Sequence, residues 1–122
     1  MTKIRIPEKN IQAAIGEYLT RRQIFWYRQN SGAFQRDGHV YQMGIVGAPD
    51  IIAVIEGYYV GLEVKGSGGK QRESQKAFEE NLLAAGGVYL LVTSFDEAIE
   101  AIEDCIRRVR LKVRPPYQRN KN

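Results

Sequence analysis

Two short runs, Ile51-Ile52-Ala53-Val54-Ile55 and Val88-Tyr89-Leu90-Leu91-Val92, are almost wholly apolar and are bounded by turn residues. Apolar segments of this length, rich in β-branched and aromatic side chains, are buried strands rather than helices. A segment of helical period, about Gln71 to Ala85, lies between them, with Phe78, Leu82 and Ala85 on its inner stripe and Gly86 ending it. Strand and helix alternating in this way commit the chain to a mixed α/β domain.

The other elements fall around this frame. Pro7 stands in the first turn of a helix over about Glu8 to Arg22, where its missing N–H is harmless, and Ile11, Ile15, Tyr18 and Leu19 share one stripe. Ile24 to Arg28 is an aromatic strand whose Phe25, Trp26 and Tyr27 read as core rather than as a base-stacking platform. Asp37-Gly38 closes a hairpin within Ala33–Gln42, and Glu56-Gly57 turns the apolar run back into Tyr58–Lys65. Ser94 and Glu97 have capping-box spacing and open a last helix, with Ala98, Ile99, Ile102, Ile106 and Val109 inward. The expected order is helix, strand, two hairpins, helix, strand, helix.

With 122 residues the chain suits a single domain, taken as residues 1–110, followed by a basic tail at 111–122. No apolar run approaches the ~20 residues of a membrane span, and the first seven residues lack the apolar stretch of a signal peptide, so a cytoplasmic place is expected. One cysteine, Cys105, excludes an intrachain disulfide and a cysteine-built zinc site; it reads as a packing residue. The charge is uneven. Residues 1–106 carry 11 basic and 14 acidic side chains, net −3, while residues 107–122 carry seven basic and none acidic. Such an end suits a polyanion, or simply aids solubility; the acidic body suits cations.

Asp50 opens one arm of the second hairpin and Glu63-Val64-Lys65 closes the other, so pairing brings them to the same end. Period two sends Leu62 and Val64 to one face, Glu63 and Lys65 to the other. Two carboxylates and an ammonium gathered there suit a magnesium ion, which takes one or two carboxylates and completes its shell with water and phosphate oxygens. The backbone carbonyl of Val64 is a candidate third ligand, and Lys65 would orient a water and offset charge on a phosphate under attack. The ordinary alternative is a surface salt bridge. Glu8 shares the stripe of Ile11 and Ile15, and serves either the ion or the positive end of its own helix. Gln75 shares the stripe of Phe78 and Leu82; its amide reaches either the site or strand backbone.

The order Glu8, Gly47-Ala48-Pro49-Asp50, Leu62-Glu63-Val64-Lys65, Gln75 resembles the VRR-NUC (virus-type replication-repair nuclease) branch of the PD-(D/E)XK nucleases. The likeness runs from about Glu8 to Ser94, takes in the Asn30-Ser31-Gly32 turn, and is most specific at Pro49-Asp50 and Glu63-Val64-Lys65. It implies a small restriction-endonuclease-like core, a mixed β-sheet flanked by helices in α-β-β-β-α-β order with a C-terminal helix. It also implies metal-dependent DNA cleavage with Asp50 and Glu63 as ligands to Mg2+ (Mn2+ substituting), Lys65 at the nucleophile, and Glu8 and Gln75 in support. Stand-alone members of this kind occur in phages and bacteria and resemble resolvases, dimers that cut branched DNA such as four-way junctions. A junction offers two scissile strands, which independently favours a homodimer of one-site bodies.

Contacts to nucleic acid are expected at Asn30, Ser31, Arg36, His39, Lys70, Arg107, Arg108 and Arg110, with Phe34 and Tyr41 as candidates for unpaired bases. A non-catalytic nucleic-acid-binding module using the basic tail is the competing reading. Gly66-Ser67-Gly68-Gly69-Lys70 is not a P-loop, since the spacing fails and Gln71 follows the lysine.

Overall fold

In the computed structural model, which describes residues 6–29, 32–66 and 68–112, the chain runs α1 (Glu8–Arg21), β1 (Phe25–Arg28), β2 (Gly32–Arg36), β3 (His39–Met43), β4 (Ile51–Ile55), β5 (Tyr58–Val64), α2 (Glu73–Ala84), β6 (Val88–Val92) and α3 (Phe95–Arg110). Both hairpins close on two residues with positive φ, Asp37-Gly38 (52° and 78°) and Glu56-Gly57 (50° and 86°), the backbone that a tight hairpin requires. The result is the expected element order, and a mixed sheet of strand order β1-β4-β5-β6. Its first three strands are antiparallel, and β6 joins parallel to β5 after the α2 crossover. The β2–β3 hairpin stands apart as a two-stranded ribbon.

Alternation on the strands sorts side chains into two layers. Ile51, Ala53 and Ile55 of β4, Val60, Leu62 and Val64 of β5, and Val88, Leu90 and Val92 of β6 meet Ile11, Ile15 and Leu19 of α1 and Ala98, Ile102, Cys105 and Ile106 of α3. Each fully buried aliphatic side chain contributes about 1.5–3 kcal/mol, so this layer is the main source of stability. Cys105 is a packing residue there, its thiol pushed up to about 11 by burial. On the other layer α2 lies close to the sheet: a Cβ on Gly61 would come within 3.5 Å of Leu82 Cδ2.

Helices α1 and α3 are further tied by Glu103, which accepts from Tyr18 Oη and, in a two-pronged pair, from Arg22 Nε (2.8 Å) and Nη2 (2.9 Å). Ser94 Oγ caps α3 by accepting from Glu97 N at 3.1 Å, while the Glu97 carboxylate turns to Thr93 Oγ1. The capping pair is therefore only half reciprocal. Pro7 sits one position earlier than expected, at the N-cap, its carbonyl accepting from Asn10 and Ile11 N.

Strand β1 corrects the sequence reading of its aromatics. As the edge strand it buries only one face. Trp26 turns inward, its ring so close to Gly16 that a Cβ there would sit 2.4 Å from it, and its Nε1 donates to Thr20 Oγ1 at 2.8 Å. Phe25 (68% exposed) and Tyr27 point to the uncovered side. Ala85 is likewise exposed at the end of α2, and Phe78 and Leu82 are only half-buried.

Candidate active site

The β4–β5 register pairs Ile51 with Leu62, so Asp50, one residue before β4, lies across from Glu63. Ile51, Leu62 and Val64 face the core, which turns Asp50 and Glu63 to the α2 side of the sheet. Pro49 fixes the approach: it packs against Gly61, where a Cβ would come within 2.6 Å of the proline ring. Asp50 Oδ2 accepts from the Val64 N–H at 2.8 Å, which holds the carboxylate against the end of β5.

Glu63 is 3% exposed and one of two buried polar side chains in the described body. Its Oε1 is buried without a hydrogen-bond partner, and its Oε2 lies 3.9 Å from Lys65 Nζ, long for a direct ion pair. Burial first, then the Asp50 carboxylate, push the Glu63 carboxyl up to about 8, against the opposing pull of Lys65. An orphaned carboxylate oxygen in this setting costs free energy unless a proton or a cation meets it.

Glu8 is exposed rather than inward, because it lies in the first turn of α1 beyond the edge of the core; its Oε2 nevertheless reaches the site loop and accepts from Gly66 N at 2.8 Å. Gln75, 4% exposed, accepts from Arg72 N through its Oε1 at 2.8 Å, so it caps its own helix instead of bonding strand backbone. Gly47 (φ 85°) passes so close to α2 that a Cβ would lie 2.1 Å from Ser74 O; only glycine lets the loop before Pro49 meet the helix start. These groups line one open cavity of about 460 Å³ that holds Glu8, Asp50, Glu63, Lys65 and Gln75 together. The five side chains expected to do chemistry therefore line one cavity, while Val64 is not among its lining residues.

Arg28 and Arg72 line the same cavity and were not foreseen. Alternation was no signal for the first, since it puts Arg28 on the face of its partner Ile51, opposite Asp50 and Glu63. The residues expected to touch nucleic acid are scattered. Arg36 and His39 pair at the tip of the ribbon, and Lys70 is exposed beside the site loop. Arg107 and Arg108 pair with Asp104, and Arg110 Nε lies 2.9 Å from Glu56 Oε1. Glu56 marks the far end of the hairpin, six residues or roughly 20 Å along the strand direction from Asp50. The basic end of α3 thus sits away from the carboxylates. Asn30, Ser31 and the tail from residue 113 lie outside the described residues.

Among the described residues no three His, Cys, Asp or Glu side chains gather as a ready ligand set. The side-chain donors nearest one another are the carboxylates of Asp50 and Glu63, in a cavity with room for water. That all-oxygen set fits magnesium or manganese and not a thiolate- or imidazole-seeking metal, and the orphaned Glu63 Oε1 is the atom a cation would satisfy.

Sheet order and crossover define an α/β domain with a mixed four-stranded sheet flanked by three helices. Among solved structures the chain is similar to two described as VRR_NUC domains. One superposes with a TM-score of 0.66 at 22% identity, over 85% of this chain and 91% of that one. The other has a TM-score of 0.59 at 21% identity, over 79% and 94%. No protein-family model and no curated protein matches the sequence.

Proposed function

We propose that the chain is a VRR-NUC nuclease that hydrolyses DNA phosphodiester bonds with a divalent cation, magnesium or manganese. The observation that carries this is Glu63: a buried carboxylate with one unpartnered oxygen, set beside Asp50 and near Lys65 at an open cavity. A structural carboxylate would be paired or exposed.

Asp50, Glu63 and the Val64 carbonyl would hold the ion, which when bound supplies charge neutralisation and a more acidic water. Lys65, with its side chain largely shielded from solvent, presents an ammonium to the scissile phosphate or the attacking water. Glu8 anchors Gly66 and so fixes the loop that follows Lys65. Gln75 secures the start of α2, and with it the wall formed by Ser74 and Gly47. Arg28 and Arg72, which make no ion pair among the described residues, offset the phosphates on either side.

Branched DNA such as a four-way junction is the substrate this reading favours, cut by a homodimer in the cytoplasm of a bacterial or phage-infected cell. The competing binding-module reading is weakened because Arg107, Arg108 and Arg110 already engage Asp104 and Glu56. Purified chain incubated with plasmid, linear duplex and four-way junction is expected to cut only with magnesium or manganese. Asp50→Ala and Lys65→Ala are each expected to lose at least about 100-fold in rate, in line with removing a preorganised charge from a reacting centre. Variants that cut as well as the parent would refute the assignment.

A further inference from the structure

The β2–β3 ribbon has no side chain in the core; every one of its described residues is exposed. Its register nevertheless sorts them into two unlike faces. Phe34 opposes Tyr41, Arg36 opposes His39 and Gly32 opposes Met43 on one face; Ala33 opposes Gln42 and Gln35 opposes Val40 on the other. On the first face the Phe34 and Tyr41 rings stack, centroids 5.3 Å apart and 22° between planes, and His39 meets Tyr41 edge-on at 6.3 Å. The rings are 41% and 47% exposed. A ribbon that needs no aromatic for its own core has kept a flat pair in solvent, flanked by an arginine. Asp37 belongs to the turn itself and not to that face. Gly32 and Gln42, at the roots of the ribbon, line the carboxylate cavity.

We infer that this face of the ribbon is a stacking platform for unpaired bases of the DNA strand whose backbone passes through the cavity. The inference rests on the nuclease reading and supplies its substrate preference: DNA with single-stranded bases next to the scissile phosphate, at a branch, gap or flap. The chemistry argues for nucleic acid over an apolar protein partner. Aromatic rings accept any base face, Arg36 supplies a cation for the adjoining phosphate, and the ribbon is joined to the cavity that would hold the backbone. The other face, with Ala33, Gln35, Val40 and Gln42, has no ring for a base to stack on.

The test uses full-length protein and a synthetic DNA carrying 2-aminopurine in a short single-stranded gap, against the same sequence fully paired, with calcium replacing magnesium to measure binding without turnover. Wild type is expected to bind the gapped DNA at least about fivefold tighter than the duplex, with a change in 2-aminopurine fluorescence, since one stacked base accounts for a factor of that size or more. Phe34→Ala/Tyr41→Ala is expected to lose that preference and the fluorescence change while keeping duplex affinity; Phe34→Tyr/Tyr41→Phe, which retains both rings, is expected to keep them. Because all these side chains are exposed, circular dichroism of the variants should match wild type. Equal binding of gapped and paired DNA by wild type, or a preference that survives in the double alanine variant, would overturn the inference. Failure of the nuclease reading is read separately: wild type that shows the ring-dependent preference but cuts no DNA with magnesium leaves the platform standing and removes the catalysis.

Discussion

Replacing Glu63 by Gln should stabilise the cation-free protein, even though the side chain is central to the proposed chemistry. The amide keeps the volume of the carboxylate and removes a charge that burial and Asp50 both disfavour. The sign follows from linkage. With the folded-state value near 8 and the unfolded value at 4.5, the folded protein binds the proton more tightly, so stability is fullest below 4.5 and falls as pH rises toward 8. At about 1.4 kcal/mol per pH unit, the loss reaches about 3 kcal/mol by pH 7. Urea unfolding of wild type and Glu63→Gln at pH 5 and pH 8, both in chelator, would read this as a gap in midpoint that is small at the lower pH and a few kcal/mol at the higher. Parallel pH profiles for the two proteins would refute the reasoning, because they would mean that Glu63 is not held protonated by its surroundings. Magnesium should then raise the wild-type midpoint at pH 8 and leave that of Glu63→Gln nearly unmoved, by mass action on the folded state.

Gly16→Ala should force the Trp26 ring off α1, at a cost of about 1–3 kcal/mol, and shift the emission of this sole tryptophan. Gly47→Ala combines a left-handed backbone with a Cβ 2.1 Å from Ser74 O, so a thermal melt should show a loss of about 2 kcal/mol or more, together with loss of cleavage as the α2 wall moves. Glu103→Gln should weaken the α1–α3 tie by only about 1 kcal/mol, since the Arg22 pair is partly solvated, as measured by the shift in urea midpoint.

How much of this was readable beforehand divides along a physical line. Asp50, Glu63 and Lys65 could be brought together from the chain alone because a two-residue hairpin fixes register, and register fixes which ends meet. The same alternation correctly sent Leu62 and Val64 to the core. It failed at Phe25 and Tyr27 because alternation says which residues share a face, not whether anything covers that face. Strand order decides that, and β1 came out at the edge. The partner choices of Glu8 and Gln75 were hidden for a related reason. A helical stripe gives direction, but Glu8 stands a turn past the sheet and finds Gly66 N, while Gln75 finds an orphan N–H at its own helix start. The surroundings of the basic run were the least legible. Residues 107–122 hold no acid, yet α3 sets Asp104 one turn from Arg107 and Arg108 and carries Arg110 back to the hairpin turn, where Glu56 waits 54 residues away in sequence. Charge patterning by position is a one-dimensional measure, and the antiparallel return of α3 along β6 places the cations at the end of the sheet that the carboxylates do not occupy. If the described part of α3 meets DNA at all, it does so beyond the scissile phosphate, so neutralising Arg107 and Arg108 should lower affinity and its salt slope while leaving the cleavage rate of bound DNA unchanged. A matching fall in single-turnover rate would place those arginines at the reacting centre and contradict the geometry.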